Sequence, residues 1–85
     1  MPIDVNGRRI GLDDVAQFLR ECADNLPGDY KPDSQSWGLS AAAIFFSASR
    51  GTPEGAAAIS VLQGMVGSSD SDHVRFAAEF LPRSP

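Results

Sequence analysis

The chain has 85 residues, enough for one small domain, and its composition is that of a globular protein, with 42% hydrophobic residues and a net charge of −4. No apolar run approaches the roughly 20 residues of a transmembrane helix, and the mixed charges of segment 1–11 are unlike a signal peptide, so neither membrane association nor export is expected. The seven basic residues are scattered, which argues against a phosphate-binding surface and against nucleic acid as a partner.

The first predicted element is a β-hairpin or an extended arm over residues 1–11. Asn6-Gly7 stands between two short alternating segments, and this dipeptide is the strongest local signal of a type I′ turn. A two-stranded hairpin is marginal in water, so it must pack on a helix or pair with another chain. Arg8 and Arg9 follow the turn, where they are candidates to contact an acidic partner or a phosphate. A solvated loop is the alternative interpretation.

Residues 12–26 form the clearest amphipathic helix of the sequence. Asp13 and Asp14 suit the positive N-terminal end of its dipole. Cys22 is the single cysteine, which rules out an internal disulfide and suits the cytoplasm, the expected compartment. Its place in the apolar stripe predicts a buried, inert thiol rather than a nucleophile. The stripe consists of Leu12, Val15, Ala16, Phe18, Leu19, Cys22, Ala23 and Leu26.

Segment 27–33 is predicted to be a loop, because its prolines and glycine end the preceding helix. Tyr30 is its aromatic residue, a candidate contact residue or a side chain that folds back onto the core. Asp33-Ser34 before a helix resembles the acyl carrier proteins, whose Asp-Ser-Leu serine carries phosphopantetheine, so the resemblance would imply that role for Ser34. Gln35 replaces the leucine, and the next helix lacks the acidic residues of that family. We therefore predict no cofactor.

The next helix is predicted over residues 35–50, and apolar side chains occupy nearly its whole circumference. Such a helix is either central in its domain or buried by another subunit. A chain of 85 residues has few elements with which to surround it. We therefore expect a homo-oligomer interface on part of this helix, and an aromatic side chain could anchor it. The candidate contact residues are Trp37, Leu39, Phe45 and Phe46.

Two further helices, 53–66 and 71–81, are predicted to form a hairpin. Thr52-Pro53-Glu54 is a strong start signal: threonine caps a free amide, proline fits the first helical position and glutamate suits the dipole. Gly67 is expected to be a left-handed C-terminal cap.

The start of the last helix carries a second capping signal. Ser69 and Asp72 form a loose capping box. Arg75 and Glu79 are expected on the solvent side. The residues expected to be buried are Val74, Ala77, Ala78, Phe80 and Leu81.

This C-terminal stretch, residues 52–81, resembles a HEAT-type α-hairpin repeat. The residues that carry the resemblance are Asp70 or Asp72 in the turn, then Val74-Arg75, Ala78 and Leu81. The acidic residues are shifted by about one place from the family pattern, and Pro82 stands where the family often has its final leucine. Such families bind proteins or nucleic acids, so the resemblance implies a binding role. No second clear copy occurs, and a full solenoid is not expected.

The chain offers little for catalysis. His73 is the single histidine. Beside Asp70 and Asp72 it is a candidate base or weak metal ligand, but a surface residue in a capping turn is the preferred interpretation. No nucleophile elbow, P-loop or dinucleotide-binding glycine pattern occurs. We predict no catalytic, cofactor or metal site and no enzyme activity.

We interpret the sequence as a mainly α, four-helix domain with an N-terminal hairpin or arm, and with helices 35–50 and 53–66 at its centre. The expected role is a non-enzymatic protein-interaction module that self-associates, such as a small adaptor, inhibitor or immunity-type protein. One alternative is a small helical DNA-binding regulator, although its candidate recognition helix, 53–66, has no Arg, Lys or Asn with which to read bases. A degenerate acyl-carrier-like protein is the further alternative.

Overall fold

The computed structural model of the protein describes residues 2–25 and 37–81, and only the backbone of Trp37. The predictions for Tyr30 and Ser34 lie outside the described residues. The elements are β1 (Ile3–Val5), β2 (Arg8–Ile10), a 3₁₀ turn (Leu12–Asp14), α1 (Val15–Asp24), α2 (Trp37–Ala48), α3 (Pro53–Val66) and α4 (Ser71–Phe80). The predicted fold class, mainly α with an N-terminal hairpin, is confirmed.

The N-terminal segment forms the hairpin rather than an extended arm. Asn6 has a φ of 53° and Gly7 a φ of 87°, as a type I′ turn requires. The strands are antiparallel, and Ile3 pairs with Ile10. Both isoleucines are buried, and β1 packs against α2. The hairpin therefore rests on a helix, which compensates for its marginal stability alone.

The helix at the centre of the fold is α1. It contacts α2, α3 and α4. The buried part of its apolar stripe consists of Val15, Phe18, Leu19, Cys22 and Ala23, and Leu26 lies outside the described residues. The prediction that the two alanine-rich helices form the centre is therefore wrong, because three helices share the single stripe of α1. Leu12 does not join that stripe and is 53% exposed, since it belongs to the 3₁₀ turn. In that turn the Gly11 amide donates to Oδ2 of Asp14 over 3.2 Å.

The ends of α3 and α4 follow local side-chain chemistry, with two corrections. The Gly55 amide donates to Oγ1 of Thr52 over 3.1 Å, as the start signal predicts. Gly67 has a φ of −89° and is not left-handed, because the turn after α3 closes through amide bonds to the last α3 carbonyls. Asp70, not Ser69, caps α4, and its Oδ1 accepts from the Asp72 amide over 2.9 Å.

The buried face of α4 differs from the predicted one. Phe76 and Ala77 are fully buried, whereas Ala78 is exposed. Val74, Phe80 and Leu81 are half-buried. Phe76 takes the buried place expected for Ala78, because its ring packs on that of Phe80.

Two glycines allow helices to approach at backbone distance. A Cβ atom at Gly38 of α2 would overlap the carbonyl oxygen of Cys22 in α1, and one at Gly55 of α3 would overlap the carbonyl oxygen of Ser49. Apart from the contact between Gly55 and Ser49, α2 packs mainly on α1 and β1, whereas α3 packs on α4 and α1. The two helices therefore meet at one corner and leave a groove between them.

Candidate functional site

The predicted contact residues occupy three different environments. Phe45 is fully buried, so the structure corrects its assignment as a surface contact: it is a core residue that packs on Phe18 of α1. Leu39 and Phe46 are half-buried, and Arg8 and Arg9 are exposed. Tyr30 and the Trp37 side chain lie outside what the structure describes.

The five phenylalanines of the chain form one continuous series of ring contacts from the core to the surface. Phe18 lies 5.4 Å from Phe45 between ring centroids, and Phe45 lies 5.4 Å from Phe46. Phe46 then stacks on Phe80 of α4 at 5.2 Å, and Phe80 contacts Phe76 at 5.0 Å. The half-buried pair Phe46 and Phe80 is where this series reaches the groove between α2 and α3.

We name this depression the α2–α3 groove; its volume is about 760 Å³, within the range of small-molecule sites. Its apolar lining includes Phe46, Ile59 and Phe80, and Arg50 lies at the end where α3 begins. None of the described carboxylates forms an ion pair with Arg50. The other described residues of the lining are Ala43, Ser47, Ser49, Gly51, Thr52, Gly55 and Ala56.

A second unusual surface on α2 overlaps the edge of the groove at Ala43 and Ser47, and we name it the α2 outer face. Its residues are exposed and either small or apolar, and Ile44 is 39% exposed. No charged residue occurs between Trp37 and Ala48. The α2 outer face consists of Ser40, Ala43, Ile44, Ser47 and Ala48.

Arg8 is bound within the chain rather than held free for a partner. Its Nη1 atom lies 2.7 Å from Oε2 of Glu21, and its guanidinium lies 5.6 Å from the centroid of the Phe18 ring. These contacts fasten the hairpin onto α1. Arg9, on the opposite face of β2, forms no ion pair with any described residue.

His73 connects two helices instead of standing free in a capping turn. Its side chain is 18% exposed, and its Nε2 atom lies 2.7 Å from Oδ1 of Asp24 in α1 and 3.8 Å from Oδ2 of Asp70. Sequence reasoning missed Asp24, which is 49 positions away. One ligand atom from each of the three residues lies within 4.8 Å of the others. Both carboxylates are exposed, and the contact between His73 and Asp24 is an interhelical hydrogen bond.

Cys22 lies in the core, as its place in the stripe predicts. Burial is the main reason that the pKa of its thiol is raised to about 12, and the neighbouring charge of Glu21 adds to the effect. A thiol that stays protonated at neutral pH is a poor nucleophile. Cys22 is therefore a packing residue.

The geometry leaves two surfaces, the groove and the α2 outer face, as the candidates for binding. No helix in the described part of the chain combines the length and apolar character that crossing a membrane requires. Comparison with protein-family models, with curated proteins and with solved structures finds no match to this chain.

Proposed function

We propose that the protein is a non-enzymatic protein-interaction module that self-associates through the α2 outer face. The observation that carries the proposal is that an almost wholly apolar helix lies at the side of the fold. A helix of this kind is normally central or covered by a subunit. Here α1 occupies the centre of the fold, so we favour the second explanation, that another subunit covers α2. The resemblance of residues 52–81 to HEAT-type hairpins, which implies a binding role, supports the same class of function.

The charge distribution supports a second copy of the chain as the occupant. The chain carries a net charge of −4, so two copies repel each other over most of their surfaces. The α2 outer face has no charge, and a symmetric contact places the same face of both copies together. Small residues such as Ala43 and Ser47 allow two helices to approach closely, and Ile44 supplies apolar area.

The size of the face predicts weak association. A helix of 12 residues is about 18 Å long, so a contact along it buries less than the about 800 Å² per partner of a standard interface. We therefore expect a dimer only at high micromolar concentration and above. The unpaired, buried thiol of Cys22 is compatible with the cytoplasm that we propose as the compartment.

The experiment is light scattering with sedimentation equilibrium over a concentration series. The series extends to about 1 mM protein, so that it exceeds the high-micromolar dissociation constant expected for the dimer. The expected mass rises from the 9.0 kDa of one chain toward twice that value. Ile44→Lys should hold the mass at one chain. Val66→Lys is the matched control, because Val66 is 49% exposed on α3 and outside the α2 outer face.

Two results would refute the proposal. The first is a constant mass of one chain at every concentration. The second is association that Val66→Lys abolishes as completely as Ile44→Lys does, which would place the contact elsewhere. Circular dichroism on each variant separates lost association from lost folding.

A further inference from the structure

We infer that the α2–α3 groove is a binding site for an amphipathic carboxylate, a small molecule with an apolar chain that ends in one carboxylate group. This inference does not depend on self-association. It rests on the combination of an apolar floor, a volume suited to such a ligand and one cationic end.

The floor is apolar because aromatic and aliphatic side chains from three helices meet there. Phe46 of α2 stacks on Phe80 of α4, and Ile59 of α3 lines the same groove. All three are half-buried, so each still exposes apolar surface that a ligand chain can cover. Covering apolar surface yields about 25 cal/mol per Å², and the groove volume of about 760 Å³ exceeds that of an alkyl chain of ten carbons.

The cationic end favours an anionic head group, and a carboxylate is the one we propose. Arg50 is exposed at the rim and forms no ion pair with a described carboxylate, so its guanidinium can bind both oxygens of a ligand carboxylate. Thr52 and Gly55, at the start of the 14-residue helix α3, line the same end, and the positive end of the helix dipole adds to the attraction. Glu54 is buried and does not line the groove.

A second, smaller depression of about 380 Å³ also has a cation, Arg20, but His73 and two serines share its lining, so it is more polar than the α2–α3 groove. Arg8 is paired with Glu21, and Arg75 with Asp72. Arg9 is exposed on β2 and lines no part of the groove. Arg50 is thus the cation that faces the apolar groove, and charge complementarity points to an anionic head group on an apolar chain.

The test is isothermal titration calorimetry, in which sodium decanoate is titrated into the protein. The protein is kept at about 50 µM, below the concentration at which the proposed weak dimer forms. Decyltrimethylammonium carries the same chain with the opposite charge, and butanoate carries the same head group on a short chain. We expect decanoate to bind at least about tenfold more tightly than either probe, because each one lacks one of the two contributions. Amide chemical-shift changes should centre on Arg50, Gly55 and Ile59.

Variants separate the contribution of the Arg50 charge from that of the apolar groove. Arg50→Gln should weaken decanoate binding roughly fivefold, as expected for an exposed ion pair, and Arg50→Lys should weaken it less. Ala56→Phe fills the groove from an exposed position and should weaken binding more than about tenfold. Arg9→Gln is the matched control and should leave decanoate binding unchanged.

The inference fails if decanoate does not bind at millimolar concentration, or if decyltrimethylammonium binds as tightly. It also fails if Arg50→Gln and Arg9→Gln have the same effect, since the binding would then be non-specific. A failure here leaves the self-association proposal untouched, because Ile44 does not line the groove.

Discussion

The rings of Phe46 and Phe80 stack with their centroids 5.2 Å apart and their planes inclined by 18°, and this contact joins α2 to α4 across the floor of the groove. Each ring also touches a more deeply buried one: Phe46 contacts Phe45 and Phe80 contacts Phe76. Because α2 and α4 pack mainly on other elements, the stacked pair both closes the groove floor and couples two helices that are far apart in the sequence.

A double-mutant cycle tests this coupling. Phe46→Ala and Phe80→Ala should each lower the free energy of unfolding by about 2 kcal/mol, less than the 3–5 kcal/mol of a fully buried phenylalanine, because both rings are half-buried. Together they should cost less than the sum, with a coupling of about 0.5–1.5 kcal/mol. Urea denaturation of the four proteins measures it. Phe80→Ala combined with Leu12→Ala serves as a control cycle and should be additive.

The orientation of α4 shows where sequence reasoning reaches its limit. The predicted buried set, Val74, Ala77, Ala78, Phe80 and Leu81, has helical spacing, and so has the set His73, Phe76, Ala77 and Phe80. The structure buries Phe76 with Ala77 and exposes Ala78. The buried face is shifted toward Phe76 because Phe80 meets Phe46 and His73 meets Asp24 on that side, and neither partner is near in sequence.

Elsewhere, local sequence signals were sufficient to predict where an element of secondary structure forms. The start of α3 follows from Thr52 and Pro53, and the hairpin follows from Asn6-Gly7. The groove was not predictable in this way, because its residues come from three helices and no local pattern links Arg50 with Ile59. Phe46 was identified as a contact residue from its place on an apolar helix, without any indication that it faces a groove.

The close approach of α1 and α2 yields a second prediction. Gly38→Ala should lower the free energy of unfolding by about 2–4 kcal/mol, because the new methyl group would overlap a backbone carbonyl of Cys22 that cannot rotate away. The gain in helix propensity, about 1 kcal/mol, is smaller and does not compensate. Thermal unfolding followed by circular dichroism measures the difference.

Gly64→Ala is the matched control for that variant. Gly64 is an exposed glycine inside α3, and a methyl group there meets nothing within 4 Å. This substitution should raise the free energy of unfolding by about 0.5–1 kcal/mol. Similar stabilisation by Gly38→Ala would show that α1 and α2 lie farther apart than described.

The hairpin turn provides a third prediction. Gly7 has a φ of 87° and open space around its Cα atom, so Gly7→Ala brings backbone strain without a steric clash. It should lower the free energy of unfolding by about 1–2 kcal/mol. Asn6→Gly, at the preceding residue with a φ of 53°, should change it by less than about 0.5 kcal/mol, because both residues tolerate this conformation. Equal costs at the two positions would contradict the type I′ turn.

The buried thiol of Cys22 predicts a loss of stability in alkaline solution. Burial raises its pKa to about 12 in the folded protein, whereas a thiol in an unfolded chain ionises near pH 8.5. The unfolded state therefore loses its proton first as the pH rises. The stabilising contribution is fully present below about pH 8.5 and is lost toward pH 12, at up to about 1.4 kcal/mol per pH unit.

Comparison with Cys22→Ala isolates this contribution, because every other group titrates in both proteins. The difference in free energy of unfolding between wild type and variant should be constant from pH 6 to about pH 8, and should then shift against the wild type by about 2.7 kcal/mol by pH 10.5. Iodoacetamide at pH 9 should alkylate the folded wild type far more slowly than the urea-unfolded chain, since the reaction needs an exposed thiolate. A pH-independent difference, or equally fast alkylation of both states, would place Cys22 at the surface and would overturn the central position of α1.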